Sequence, residues 1–318
     1  MPPSSDDKQH GKVGATTRAR LVRAVTAALA PWPLPVLHRV GAGLGTLVEW
    51  FPSTPRMVAT MNLERCFPDA GGAERRAMRR AHFRELGKTV MEAPALMRRG
   101  PERVQGWVVE TDGEETFHRL AAQGRGVILA APHLGSWEVI PHWVLQHYPM
   151  RFLYRPPRQR DLGPMLLEAR ARSGGQPVET TPRGVRILLQ GLRKGEIVGI
   201  LPDQEPDGNE PFAPFFGHPA KTMTLLSRLA ARSGAPVIFG WAERLPAGRG
   251  FRLRFRQGEE AIASSDLQEA AAALNRGVEA CVREAPAQYQ WTYKRFDTQP
   301  DGTRFYPRGK DKEKRKGG

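Results

Sequence analysis

The segment Ala131-Pro132-His133-Leu134-Gly135-Ser136-Trp137-Glu138 sets an imidazole and a carboxylate five positions apart. An apolar run, Val127-Ile128-Leu129-Ala130-Ala131, precedes it, and a helix-like stretch from Ser136 to Gln146 follows. His133 therefore falls where a buried strand gives way to a loop, and Glu138 falls in the first turns of the next helix. In open α/β sheets ligands bind just beyond the carboxyl ends of strands. A histidine there can act as a general base, and a carboxylate brought back by the helix can fix its tautomer and stabilise the imidazolium. Gly135 leaves room for a substrate to approach the backbone, and amides at the helix start suit an anion or a developing oxyanion. Taken alone, so short and common a pattern reads first as a satisfied strand-end histidine with a solvated glutamate.

A second strand end reads Leu201-Pro202-Asp203-Gln204-Glu205, followed by Phe212-Ala213-Pro214-Phe215-Phe216-Gly217 and Lys221-Thr222. Acidic and amide groups beside an aromatic loop suit a site for a molecule with a polar head and an apolar chain, and Asp203, Gln204, Lys221 and Thr222 are its substrate-binding candidates. An ordinary turn with a loop packed on the core is the alternative. Other chemistries lack their motifs. There is no G-x-S-x-G around Ser136 and no Walker loop. There is no H-E-x-x-H or histidine cluster, so no metal is expected, and no cofactor either. Gly41-Ala42-Gly43-Leu44-Gly45 has neither the spacing nor the preceding strand of a dinucleotide loop. Cys66 and Cys281 form no C-x-x-C pair, which excludes a disulfide framework or cysteine-rich zinc site.

The elements that would position these groups are strands alternating with helices. Arg151–Tyr154, Ile197–Leu201, Pro236–Trp241 and Phe251–Phe255 read as further strands. Residues 160–173, 183–194, 221–233 and 266–284 read as helices. The pattern predicts an α/β fold with a largely parallel central sheet flanked by helices. Residues 73–92 form a further helix, with Met78, His82, Phe83, Leu86 and Val90 on one side. Arg75, Arg76, Arg79, Arg80, Arg84 and Lys88 lie on the other, a solvated face or a docking face for something acidic. Residues 21–51 are apolar but interrupted by charges and by Pro31, Pro33 and Pro35. No stretch there reaches the ~18 uncharged residues of a spanning helix. Two short helices are expected, either lying in a membrane interface or packed on the domain, with a tilted single span as a further alternative. The expected organisation is a flexible arm over residues 1–20, a membrane-associating helical hairpin over 21–54, a catalytic domain over 55–300 and a basic disordered tail over 301–318.

The 318 residues carry a net charge of +15, which requires an anionic partner: nucleic acid, lipid head groups or an acidic protein. A nucleic-acid-binding protein would explain the charge but neither the strand-end His133 and Glu138 nor the aromatic loop. A catalytically silent lipid-binding scaffold would explain the apolar N-terminal segment without turnover.

Several blocks taken in order resemble the lipid A late acyltransferases, the lauroyl and myristoyl transferases within the lysophospholipid acyltransferase superfamily. These blocks are Met61-Asn62-Leu63-Glu64-Arg65-Cys66-Phe67-Pro68, the His133 to Glu138 segment, Tyr154-Arg155-Pro156, and Arg170 and Arg172 before Gly174. Further blocks are Leu201-Pro202-Asp203-Gln204, Phe215-Phe216-Gly217 with Ala220-Lys221-Thr222, Gly234-Ala235-Pro236-Val237, and Pro286 to Trp291 with Lys294-Arg295-Phe296. The similarity runs from about Leu37 to Phe296. It implies a lysophospholipid-acyltransferase-like fold, His133 as general base and Glu138 as its charge partner. It further implies that Arg155 and Arg170 bind phosphate or stabilise an oxyanion. The implied partners are an acyl carrier protein as donor, a lipid A precursor as acceptor and an anionic membrane surface, with no nucleic acid. The implied location is the cytoplasmic face of the bacterial inner membrane. The N-terminal segment departs from many relatives in lacking a clean apolar span, and a glycolipid mannoside or lysophospholipid remains an alternative acceptor.

Overall fold

The computed structural model describes residues 17–154 and 174–307. Arg155, Arg170 and Arg172, the expected helix over 160–173, most of the expected arm and the chain beyond residue 307 lie outside the described residues. Five helices open the fold: α1 (Thr17–Leu29), α2 (Leu34–Trp50), α3 (Thr54–Cys66), α4 (Gly72–Arg98) and α5 (Pro101–Gln105). Then come β1 (Val108–Asp112), α6 (Glu114–Ala121), β2 (Val127–Ala130), a single 3₁₀ turn (Trp137–Val139), α7 (Ile140–Val144) and β3 (Met150–Tyr154). After the second described stretch begins, β4 (Gln176–Glu179), α8 (Pro182–Arg193), β5 (Ile197–Ile200), β6 (Phe212–Phe215) and β7 (His218–Lys221) follow. The last elements are α9 (Leu225–Ser233), β8 (Val237–Arg244), β9 (Phe251–Gln257) and α10 (Leu267–Glu284).

Seven strands form one sheet in the order β1-β9-β8-β2-β5-β3-β4. All neighbours run parallel except β8 and β9. The centre, β2 and β5, is buried on both faces, which is why these strands read as unbroken apolar runs. Alternate residues of β2 serve two cores: Ile128 and Ala130 on one side, Val127 and Leu129 on the other. Side-chain caps mark several helix starts. Ser53 accepts from the Arg56 amide, Thr181 from Gly184 and Asp266 from Gln268.

Three local readings change. Phe212–Lys221 is a two-stranded antiparallel hairpin, β6–β7, where a loop running into a helix was expected. Its Pro214 and Pro219 face one another across the ladder, and the following helix starts only at Leu225. On α4, Val90 is exposed, whereas Arg79 is buried and donates to Glu49 at 3.0 and 2.8 Å. Arg76, Arg80 and Arg84 remain exposed. The ordered core also continues past residue 300, for Tyr306 is buried and its hydroxyl bonds to Asn62.

The glycine run in α2 has a packing role. A β-carbon on Gly41 would lie 2.6 Å from the Gly87 carbonyl oxygen of α4, and one on Gly45 would overlap the carbonyl of Phe83. Helices α2 and α4 therefore meet backbone to backbone, which only glycine allows. The opposite side of α2 exposes Val36, Val40, Leu44, Leu47, Val48 and Trp50. No helix among the described residues is long and apolar enough to cross a membrane.

Fully buried on α4, His82 faces the backbone of Ala287 and Tyr289. Burial drives its pKa down to about 4, against the opposing effect of those backbone groups. The ordinary value of about 6.5 applies once the chain unfolds. The unfolded state thus binds the proton first, so His82 costs no stability above pH ~6.5 and increasingly destabilises the fold as pH falls towards 4. Urea melts should show about 2 kcal/mol lost to this group between pH 7 and pH 5, and a His82→Gln variant should show a correspondingly shallower slope.

Candidate active site

Strands β2 and β5 are parallel neighbours with Ala130 opposite Ile200. His133 and Asp203 each lie three residues beyond that pair, so the sheet delivers them to the same place. The His133 backbone amide donates to Asp203 Oδ2 at 3.0 Å, and its ring Nδ1 meets Asp203 Oδ1 at 2.9 Å. Both carboxylate oxygens are thereby engaged, with the side chain of Asp203 buried. Burial alone would raise the Asp203 pKa. The facing imidazole and the hydrogen bonds from His133 outweigh it and hold the carboxyl below its ordinary value. An ionised carboxylate on Nδ1 keeps the proton there and leaves the Nε2 lone pair outward, the tautomer a general base needs. Asp203, expected to bind substrate, is instead placed as the orienting partner of His133.

Gln204 Nε2 lies 3.2 Å from His133 Nε2 and donates to Gln290 Oε1 at 3.2 Å. The Trp137 ring stands edge-on to His133, with centroids 5.0 Å apart. Glu138 lies in the 3₁₀ turn, exposed at the rim of an apolar cavity. That cavity runs between the C-terminal third of α4 and one face of the sheet. Trp137 and Glu138 line it beside Ala131 and Leu201, while Leu129, Gly199 and Met150 line it deeper along the strands.

The loop carrying His133 is fixed by its backbone. Gln290 N donates to the His133 carbonyl at 3.1 Å, Gly135 N to the Gln288 carbonyl at 3.1 Å, and Ser136 N to the Ala242 carbonyl at 2.8 Å. Arg244 Nη2 donates to the Gly135 carbonyl at 3.1 Å. The Arg244 guanidinium is itself buried against Glu92, with Nε at 3.0 Å from Oε2, and Glu92 also takes His38 at 2.9 Å. These contacts overturn one expectation: the space above Gly135 belongs to the Ala242 carbonyl, not to a substrate. The amides of Gly135 and Ser136 are engaged within the fold.

Lys221 and Thr222 are brought elsewhere. Lys221 ends β7, and its carbonyl accepts from Arg295 Nη1 at 2.6 Å. Thr222 is fully buried, donating to the Ala220 carbonyl and accepting from Asn275 and Arg295 at 2.9 and 3.0 Å. With no surface left for a ligand, Thr222 serves the fold. Asn62 plays a similar part, donating to the carbonyls of Trp291 and Tyr293 at 2.7 and 2.8 Å. It ties α3 to the segment that supports the His133 loop. Among the described residues no group of three or more potential ligands gathers to hold a metal.

A family profile of bacterial lipid A biosynthesis acyltransferases matches residues 8–298. The chain is 31% identical over 272 residues to a lipid A biosynthesis lauroyltransferase of Escherichia coli K12, covering 85% of this chain and 88% of the relative. A palmitoleoyltransferase of lipid A biosynthesis from the same organism is 31% identical over 275 residues, with 85% and 88% covered. A lipid A biosynthesis myristoyltransferase, also from E. coli K12, is 28% identical over 283 residues, covering 84% and 82%.

Gly135 and Gly124 both have positive φ, +59° and +71°, but only at Gly135 would a side chain strike the backbone of β8. Gly124→Ala should cost about 1–2 kcal/mol for the backbone conformation alone. Gly135→Ala should cost more than this, because the Ala242 carbonyl cannot retreat without breaking its bond to Ser136. Urea denaturation of the two variants side by side measures the difference.

Proposed function

The chain belongs to the bacterial lipid A biosynthesis acyltransferase family, and from that premise we propose that it moves a fatty acyl group from the thioester of an acyl carrier protein onto a hydroxyl of a lipid A precursor. Acyl transfer onto lipid A is the family's reaction. The observation that carries the finer reading is an imidazole held by a buried carboxylate and set against Trp137, a residue that lines an apolar cavity. The cavity suits an acyl chain, and Nε2 of His133 suits the proton of an attacking hydroxyl.

In this reading the acceptor hydroxyl takes the place of the Gln204 amide at His133 Nε2. Its oxygen attacks the thioester carbonyl as the proton passes to Nε2, and Asp203 stabilises the resulting imidazolium. The tetrahedral centre collapses with cleavage of the carbon–sulfur bond, and the leaving thiolate recovers the proton from Nε2. Glu138 supplies a second carboxylate at the rim, on the side from which both substrates arrive. Arg155 and Arg170 are assigned to the acceptor phosphates, which a guanidinium fork binds through paired donors. The acidic carrier protein is assigned to the basic surface, to which Arg76, Arg80 and Arg84 of α4 contribute.

Membrane attachment is assigned to α1 and α2 at the cytoplasmic face of the inner membrane. Leu44, Leu47, Trp50 and Phe51 are 47%, 48%, 68% and 60% exposed, and a cluster of that kind has a natural partner in the head-group and acyl boundary of a bilayer.

His133→Ala should lower acyl transfer by ~10²–10⁴-fold with the melting temperature retained. Asp203→Asn should cost roughly as much, because an amide facing Nδ1 favours the tautomer with Nε2 already protonated. A folded His133→Ala protein with near-normal turnover would reject the assignment. For the membrane, a Leu44→Glu/Leu47→Glu double variant should float poorly with anionic vesicles at high salt while keeping its activity on detergent-dispersed acceptor. Unchanged flotation would move the anchor away from α2.

A further inference from the structure

We propose that the Met150 side chain, lying across Gly199, sets the length of acyl chain that the site accepts. This rests on the acyl-transfer reading above and adds to it the residue pair that selects among donors.

Strand register gives the cavity a depth scale. Met150 pairs with Ile197, which pairs in turn with Val127, so the three share one level. Leu129, Gly199 and Phe152 share the next level on the same face. Ala131, at the mouth beside Trp137 and Glu138, is four residues above Val127. Four residues of strand span about 13 Å, so the cavity is a channel along the strands rather than a shallow dish. An acyl chain entering beside His133 would run down it and end at Met150.

At that end the sequence makes an unusual choice. Gly199 sits in the middle of a central strand, where glycine weakens the strand and marks a close approach. The place its side chain would fill is taken by the terminal methyl group of Met150, reaching up one level from its own strand. The floor is therefore the end of a flexible, unbranched side chain and not a branched residue locked by its backbone. The two residues compete for one volume. Shortening Met150 lowers the floor, and giving Gly199 a side chain forces the methionine tip upward into the channel.

The test uses the full-length protein, its lipid A precursor, and an equimolar mixture of saturated acyl carrier protein thioesters from decanoyl to palmitoyl, with products read by mass spectrometry. Met150→Ala should shift the product distribution towards longer chains and Gly199→Ala towards shorter ones. Each should change the ratio of neighbouring donors by roughly 10-fold, the discrimination a methylene gives in an apolar pocket. Combining the two should return the distribution towards that of the wild type, because both act on the same space. If Met150→Ala melts below the assay temperature, Met150→Leu and Gly199→Ala still read opposite directions. Folded, active variants with the wild-type distribution would overturn the length assignment and leave acyl transfer standing. A wild-type protein that transfers no acyl group from any of these thioesters would overturn the reaction itself, and the assignment with it.

Discussion

The pairing of His133 with Asp203 is the constraint around which the rest of the molecule is arranged. It is a consequence of register. Two neighbouring parallel strands end level, and each continues for three residues before the side chain that meets its counterpart. Because one Asp203 oxygen holds the ring and the other the backbone of His133, the imidazole is fixed in position as well as in tautomer. A side chain on a free loop would have neither restraint. The buried carboxylate is tolerable because both its oxygens are satisfied, the condition under which charge can be kept away from water.

Such precision needs a loop that cannot drift, and two distant parts of the chain supply it. From β8 come the Ala242 carbonyl and the Arg244 guanidinium, and from the segment after α10 come Gln288 and Gln290. Arg244 is charged and buried, so it must be neutralised locally. Glu92 does this, and the Arg244 charge with the His38 bond pulls its pKa down to about 2 although burial alone would raise it. The same pair locks α4 onto the sheet. One ion pair thus supports the His133 loop and positions the helix whose far end walls the cavity. Asn62, reaching from α3 to Trp291 and Tyr293, steadies the second support in turn.

How much of this was legible in the sequence depended on whether a feature is local. The central strands announced themselves as apolar runs because both their faces are covered, and His133 stood out because it terminates one of them. The edge strand β1 was missed, since Val108–Asp112 is half exposed and carries two acids. The β6–β7 hairpin was hidden by Pro214 and Pro219, which signal a loop in isolation but sit opposite each other in a two-stranded ribbon. Asp203 was recognised as belonging to the site, yet its role as the partner of His133 depended on strand order, and β2 and β5 are neighbours only through the topology. Thr222 shows the converse. Its polar side chain beside Lys221 suggested a ligand, whereas Asn275 and Arg295, far along the chain, consume it. The glycine run of α2 was legible only as something other than a dinucleotide loop, because its packing role depends on the second helix.

That helix crossing has a mechanical consequence. Most helix pairs are separated by a layer of side chains that can repack, and so they slide or tilt against one another at small cost. Where Gly41 and Gly45 bring α2 onto the backbone of α4, there is no such compliant layer. The two helices behave as one stiff strut, clamped at its middle and continuing through α4 to Ala93, Leu96 and Met97 beside the cavity. Whatever load the open side of α2 bears is delivered to that wall without slack. The angle between the exposed apolar side of α2 and the cavity along the strands is a fixed dimension of the molecule.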